Sequence, residues 1–255
     1  QRVELISAAA KAGKHVFTEK PLTLTSSEAA ACLKVCADNK VTLGVGYNWR
    51  FQPALQEIKR MLEDGRLGIL QHIEGNFCGP SVYRYGPEHW RLQRNEGPAG
   101  GMTGRGVHVV DAMMYLAGRI DNVYAQSYRR TLDYGIDDTT SMLFRFKNGV
   151  TGYLGTFIAT AECWNMQVFG SKGRARVGAI EHLTTWSLTT CMNNASPTVI
   201  DYPQVSTERL ELEAFADAIT EGKPYACPAE DAIHGVAVLD TILKSAKSGQ
   251  REFVA

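Results

Sequence analysis

Residues 13–21, GKHVFTEKP, run from strand-forming side chains into a glutamate–lysine pair closed by a proline. His15, Val16 and Phe17 favour extended backbone, and the carboxyl ends of strands are where open α/β sheets place ligands. Pro21 restricts Lys20 to extended backbone and cannot continue a helix, so the ammonium leaves the strand in one geometry. An ammonium held there can polarise an oxygen and stabilise a developing alkoxide. A second group with chemistry is His108. Helical spacing over residues 102–117, MTGRGVHVVDAMMYLA, puts Gly104, His108, Asp111 and Tyr115 on one side and makes Val107, Val110 and Met114 the apolar stripe. Taken alone, each feature also has a plain structural reading: a charge pair in a solvated turn, and a histidine satisfied within its fold.

The elements that must position these groups change character along the chain. Residues 2–12 have helical spacing and end at Gly13, a good residue for the turn after a helix. Thr25 and Ser26 precede Glu28 as in a capping box, opening a helix to about Asn39, and VTLGVGYN follows as a short apolar strand. Residues 1–49 therefore read helix, strand, helix, strand, the order of a parallel sheet. A helix from Pro53 stops at Gly65. From Gly68 onward the pattern is alternation: residues 67–79, 120–130, 139–149, 150–160, 163–173 and 174–179 read as strands, with hairpin turns at KNG and SKG. Residues 207–222 and 229–249 read as two helices closing this open, mainly antiparallel sheet. Residues 79–101, rich in Gly, Pro, aromatics and Arg, form one long irregular loop of the kind that often carries function.

Composition excludes several classes. Lys+Arg 27 balances Asp+Glu 27, so nothing points to nucleic acid or an anionic membrane surface, and a small neutral or modestly charged ligand is the expectation. No apolar run has membrane-spanning length. The six cysteines show no CxxC pair and no histidine cluster at ligand spacing, which reads as reduced thiols, no metal site and a cytoplasmic location. Cys32 and Cys36, one helical turn apart, suit a buried helix face. Asp137 and Asp138 are adjacent and point to opposite sides of a strand, so they read as turn or strand-start residues rather than a catalytic pair. Gly170 and Gly173 flank a hairpin turn, not a phosphate loop.

GKHVFTEKP, VTLGVGYNWRFQP and GPAGGMTGRGVHVVDAM, with QVFGSKGRARV and ELEAFADAITEGKPY further on, together resemble the Gfo/Idh/MocA family of nicotinamide-dependent oxidoreductases. The resemblance implies residues 1–49 as the C-terminal portion of a dinucleotide-binding Rossmann domain and residues 50–255 as an α+β substrate-binding and oligomerisation domain. It also implies that a G-x-G-x-x-G turn belongs upstream of Gln1, and that the chain is the remainder of something longer. The implied reaction is hydride transfer between NAD or NADP and a secondary alcohol on a sugar, cyclitol or dihydrodiol-like ring. Lys20 and His108 take the catalytic positions, with Asp111 in support. Glu19, Lys20 and Arg50 match positions near the cofactor, and Tyr83, Trp90, Arg91 and Arg105 are the candidates to line a substrate pocket. The family pattern D-x-G-x-H-x-x-D is kept at Gly106, His108 and Asp111, while Gly104 stands where its first Asp is expected. The exposed sheet face implies a homodimer or homotetramer. Two other readings stay open at this point: a non-catalytic binding or oligomerisation module, and a lyase or glycosidase that uses NAD transiently.

Overall fold

The computed structural model describes residues 1–179 and 186–255. Helix α1 (Arg2–Lys11) ends at Gly13, which takes φ +68°, and the chain turns into β1 (Val16–Glu19). Helix α2 (Ser26–Asp38) starts as its sequence dictates: the Thr25 hydroxyl oxygen accepts the Glu28 backbone N–H and its proton goes to the Glu28 carboxylate. Cys32 and Cys36 are buried along its inner side. Strand β2 (Leu43–Gly46) pairs parallel with β1, from Val16 opposite Leu43 to Glu19 opposite Gly46. A 3-10 turn over Asn48–Phe51 then leads to α3 (Pro53–Glu63).

Strand β3 (Leu70–Cys78) enters a second sheet and runs through its middle. The residues expected as one helix over 102–117 divide in two. Met102–Gly106 form a π-helical turn, and only then does α4 (Val107–Ala117) begin. Glycines let this turn pack closely on its surroundings, since a Cβ at Gly101 would stand 2.5 Å from Ile158 and one at Gly106 would strike Met102. Helix α4 is apolar around most of its circumference: Val107, Val109, Val110, Ala112, Met113, Met114 and Leu116 are all buried, so the apolar stripe is wider than expected, while His108 and Tyr115 stay half-buried on the side they share with Asp111.

Next come β4 (Ile120–Tyr128), β5 (Thr139–Phe146), β6 (Thr151–Phe157), β7 (Cys163–Gly170), β8 (Gly173–Ala179), β9 (Trp186–Met192) and β10 (Thr198–Tyr202). Helices α5 (Thr207–Thr220) and α6 (Ala229–Ser248) and the short edge strand β11 (Glu252–Phe253) complete the order. The large sheet has the order β10-β9-β8-β7-β3-β6-β5-β4-β11. Two runs of hairpins, β4 to β6 and β7 to β10, meet on either side of β3, which pairs antiparallel with β7 and parallel with β6. The sheet is thus mixed, mostly antiparallel, and wider than the sequence indicated by β9, β10 and β11.

The two last helices do different work. Helix α6 lies on β4 and also on α2 and α4; Asp240 accepts the Ser26 backbone N–H at 2.8 Å, and the Ser245 hydroxyl accepts the Ala125 N–H at 2.9 Å. Helix α5, expected on the large sheet, packs instead on β2 and the 3-10 turn after it. A single buried apolar cluster runs from Val45 and Trp49 through α4 and α6 to the inner face of the large sheet. Among the described residues no helix is long and apolar enough to cross a membrane, and no group of three or more His, Cys, Asp or Glu side chains is placed to hold a metal ion.

Candidate active site

The carboxyl ends of β1 and β2, the 3-10 turn, the end of β3, the start of α4 and one side of α5 surround a cavity of about 180 Å³. Glu19 and Lys20 form one part of its lining, Trp49, Phe77 and His108 an aromatic part, and Asn48, Glu208 and Glu211 a polar part against α5. The Lys20 ammonium donates a hydrogen bond to the Gly104 carbonyl at 2.8 Å. Gly104 lies within the π-helical turn, a feature often found at functional sites. Burial lowers the Lys20 amine to about 8; the Glu19 carboxylate opposes the shift, and Arg2 and Arg91 reinforce it. The lysine therefore exchanges its proton near neutral pH. The Lys20–Pro21 peptide is cis.

His108 stacks on Trp49, with ring centroids 5.3 Å apart and planes 18° from parallel, and has Phe77 on another side at 6.5 Å. Gly104 leaves room beside it, since a Cβ there meets nothing within 4 Å. The resemblance implied Asp111 as a support for His108, but its carboxylate is engaged elsewhere. Arg50 grips it through Nε at 2.9 and 3.2 Å and Nη2 at 2.7 Å. Arg50 also donates to the Ala226 carbonyl at 2.9 Å and approaches Asp231 at 3.3 Å. Burial acts to lower the Arg50 guanidinium, and the neighbouring Asp111 carboxylate outweighs it and raises it. Arg50 is 4% exposed and lies outside the cavity lining; in this structure it ties the 3-10 turn to α4 and to the entrance of α6.

The substrate-pocket candidates are spread out. Arg91 lies with its guanidinium 4.3 Å above the Trp90 ring and is near enough to act electrostatically on Lys20. Arg105 sits 5.1 Å over the ring of Phe77, and neither Arg91 nor Arg105 is part of the cavity lining itself. Tyr83 and Trp90 are exposed and outside the lining, and the Tyr83 hydroxyl donates to the Ala159 carbonyl at 3.3 Å. Asp137 and Asp138 prove to be turn residues: Asp137 pairs with Arg94, and Asp138 accepts the backbone N–H groups of Arg130, Thr131 and Leu132.

Sequence reasoning missed the α5 side of the cavity. Asn48 is 8% exposed; its amide N–H₂ group donates to Thr207 and Glu208, both at 3.0 Å, while its carbonyl oxygen is buried without a hydrogen-bond partner. Glu211 is 3% exposed, and one of its carboxyl oxygens is likewise buried without a partner. Burial, then the charges of Glu19 and Glu208, push the Glu211 carboxyl up to about 8.

A strand-end lysine and a glutamate whose affinities for protons are pushed toward neutrality, gathered with a histidine in a cleft between a parallel and a mixed sheet, define a site for proton-coupled chemistry on a small ligand. The chain belongs to the GFO/IDH/MocA family: the model of the NAD-binding Rossmann-fold oxidoreductase domain matches residues 1–47, and that of the C-terminal domain matches residues 55–176. It is 28% identical over 251 residues to D-xylose 1-dehydrogenase (NADP(+)) 2 of Haloferax volcanii, covering 96% of this chain and 74% of that protein. It is 27% identical over 253 residues to inositol 2-dehydrogenase of Rhizobium meliloti, covering 95% and 74%. In fold it is similar to aldose-aldose oxidoreductase from Caulobacter crescentus (TM-score 0.90, 23% identity, 99% of this chain and 76% of that one). It is similar too to levoglucosan dehydrogenase in complex with NADH (TM-score 0.88, 23% identity, 100% and 77%).

Proposed function

We propose that this oxidoreductase moves a hydride between nicotinamide C4 and a secondary alcohol carbon on a sugar, cyclitol or dihydrodiol-like ring. The residues present fit a nicotinamide: Trp49 and Phe77 give the cavity a flat apolar wall beside Lys20, and the two partnerless acceptors on Asn48 and Glu211 suit a group bearing N–H donors. The cofactor, when bound, supplies or accepts the hydride. Glu19 and Lys20, at the end of β1, hold its nicotinamide end. Lys20 then keeps the alcohol oxygen in place by donating a hydrogen bond and stabilises the alkoxide as the hydroxyl proton leaves. His108 accepts that proton, and its stack on Trp49 fixes the ring plane during the transfer. Arg91, close enough to act on Lys20, and Arg105, over the Phe77 ring, bind ring hydroxyls, with Tyr83 and Trp90 supporting the substrate from the loop. The similarity to D-xylose and inositol dehydrogenases supports a polyhydroxylated ring as substrate.

The observation that carries this reading is the half-buried Lys20, held on the Gly104 carbonyl and titrating near 8 in the same cavity as His108. The test is oxidation of D-xylose and myo-inositol with NAD and with NADP, by the protein and by Lys20→Met. Lys20→Met is expected to lose at least about 100-fold in kcat while keeping its fold. Unchanged turnover would remove Lys20 from the mechanism.

The same reading includes a homodimer or homotetramer through the outer face of the large sheet. Its support is a cross-strand row in which Tyr124 stands opposite Leu143 and Leu143 opposite Tyr153, with Leu143 56% exposed. All six cysteines are free thiols, which supports a reducing, cytoplasmic compartment.

A further inference from the structure

The α5 wall of the cavity is built in a way that hydride transfer does not require. Strand β2 offers α5 a bare face at Gly44 and Gly46: a Cβ at Gly44 would stand 2.6 Å from the Phe215 ring, and a Cβ at Gly46 would lie 3.5 Å from a Glu211 carboxyl oxygen, an ordinary contact. The helix therefore sits close on the strand and carries Glu208 and Glu211, one turn apart, to the cavity. Asn48 spends both N–H bonds on Thr207 and Glu208, which fixes its amide with the carbonyl oxygen turned away from them. The result is two buried acceptors, Asn48 Oδ1 and Glu211 Oε2, that line one cavity and have no partner. Buried polar atoms left unsatisfied are costly and infrequent, and a pair of them on one wall points to a group that arrives with donors.

Burial together with Glu19 and Glu208 keeps Glu211 protonated up to about pH 8. The wall consequently presents an uncharged carboxyl at neutral pH and favours an uncharged group that both donates and accepts.

We propose that Asn48 Oδ1 and the Glu211 carboxyl form an acceptor subsite for an uncharged ligand group carrying two neighbouring hydrogen-bond donors. A primary carboxamide and a pair of ring hydroxyls share this chemistry; the first would come from the cofactor and the second from the substrate. The subsite rests on the dehydrogenase reading above, and its test separates the two.

Glu211→Leu removes the acceptor at similar size, Glu211→Met does so with a more adaptable side chain should leucine fail to pack, and Glu211→Gln restores a carbonyl oxygen. Each is titrated with NADH by nicotinamide fluorescence, and with D-xylose and myo-inositol by calorimetry, after circular dichroism confirms the fold. The apolar variants are expected to lose about tenfold in affinity for one class of probe, and Gln to recover most of it. A loss confined to NADH assigns the subsite to the carboxamide; a loss confined to the sugars assigns it to ring hydroxyls. Folded apolar variants that bind both classes like the unaltered protein would overturn the subsite alone. An unaltered protein that binds neither NADH nor sugar would overturn the dehydrogenase reading and the subsite with it.

Discussion

Replacing Arg50 with methionine should be among the most damaging single changes away from the packed sheet. Arg50 makes three N–H···O contacts with Asp111 between 2.7 and 3.2 Å, plus a hydrogen bond to Ala226 and a longer approach to Asp231. Asp111 is 1% exposed, so methionine leaves a buried carboxylate without its counter-charge. Removing one partner of a buried ion pair costs about 3–5 kcal/mol. That is a large part of the roughly 5–15 kcal/mol that holds an ordinary domain folded. The double variant R50M/D111L removes both charges and should regain most of the loss, because the desolvation cost disappears along with the attraction. Urea titration at pH 7 with unchanged slope is the assay. R50M within about 1 kcal/mol of the unaltered protein, or a double variant weaker than R50M, would refute the argument. The same proteins decide what Arg50 is for. Arg50 follows Trp49 and Asp111 lies one turn after His108, so the ion pair and the Trp49–His108 stack join the same two elements. A stable double variant that binds NADH normally assigns Arg50 to holding the cavity walls; loss of NADH binding in that stable protein assigns it to the cofactor.

Three further outcomes follow from single residues. The Glu211 carboxyl is raised from 4.5 to about 8 on folding, so the folded state holds the extra proton between those values and stability falls as pH rises through them. The linked energy is at most about 5 kcal/mol. Glu211→Gln should flatten urea midpoints between pH 5 and 8 and gain stability at pH 8; parallel curves for the two proteins would contradict the assignment. Asp138 is 1% exposed; burial alone would raise its carboxyl, but the N–H groups of Leu132, Thr131 and Arg130, with the Thr139 hydroxyl, prevail and lower it. Its contribution is present above about pH 4 and is lost as pH falls below that. Asp138→Asn should cost about 1–3 kcal/mol at pH 7 by thermal or urea unfolding, since an amide nitrogen cannot accept those bonds. For assembly, Leu143→Glu should shift the protein to monomer in sedimentation velocity with its circular dichroism unchanged; an unaltered mass would place any interface elsewhere.

How much of this could be read from the sequence depended on the range of the interactions. Local chemistry was legible: Gly13 after α1, the Thr25–Glu28 cap, the KNG and SKG hairpins and the strand that ends at Lys20 each involve neighbours within a few residues. The π-helical turn was not: helical spacing over residues 102–117 reads the same for either kind of turn, and the close packing of Gly101 on Ile158 involves a residue far along the chain. Nor was the Arg50–Asp111 pair, whose members are 61 residues apart and for which the family resemblance implied a cofactor contact and a histidine support. Strand β10 escaped notice since all but its last residue are exposed, leaving no alternation to detect. The α5 wall is the instructive case. ELEAF reads only as helix, and nothing near Glu211 marks its carboxyl. The mark lies about 165 residues earlier, in LGVG, where Gly44 and Gly46 share one strand face because successive residues alternate. Two glycines on one face leave it without side chains, which a strand tolerates where another element must come close. Phe215 fills that space: a Cβ at Gly44 would stand 2.6 Å from its ring. Once Phe215 is seated there, the helical repeat carries Glu211, four residues earlier, toward the carboxyl end of β2. Gly44 thus fixes both how close α5 lies and which carboxyl reaches the cavity, and Gly44→Val should displace the helix and open the Glu211 wall.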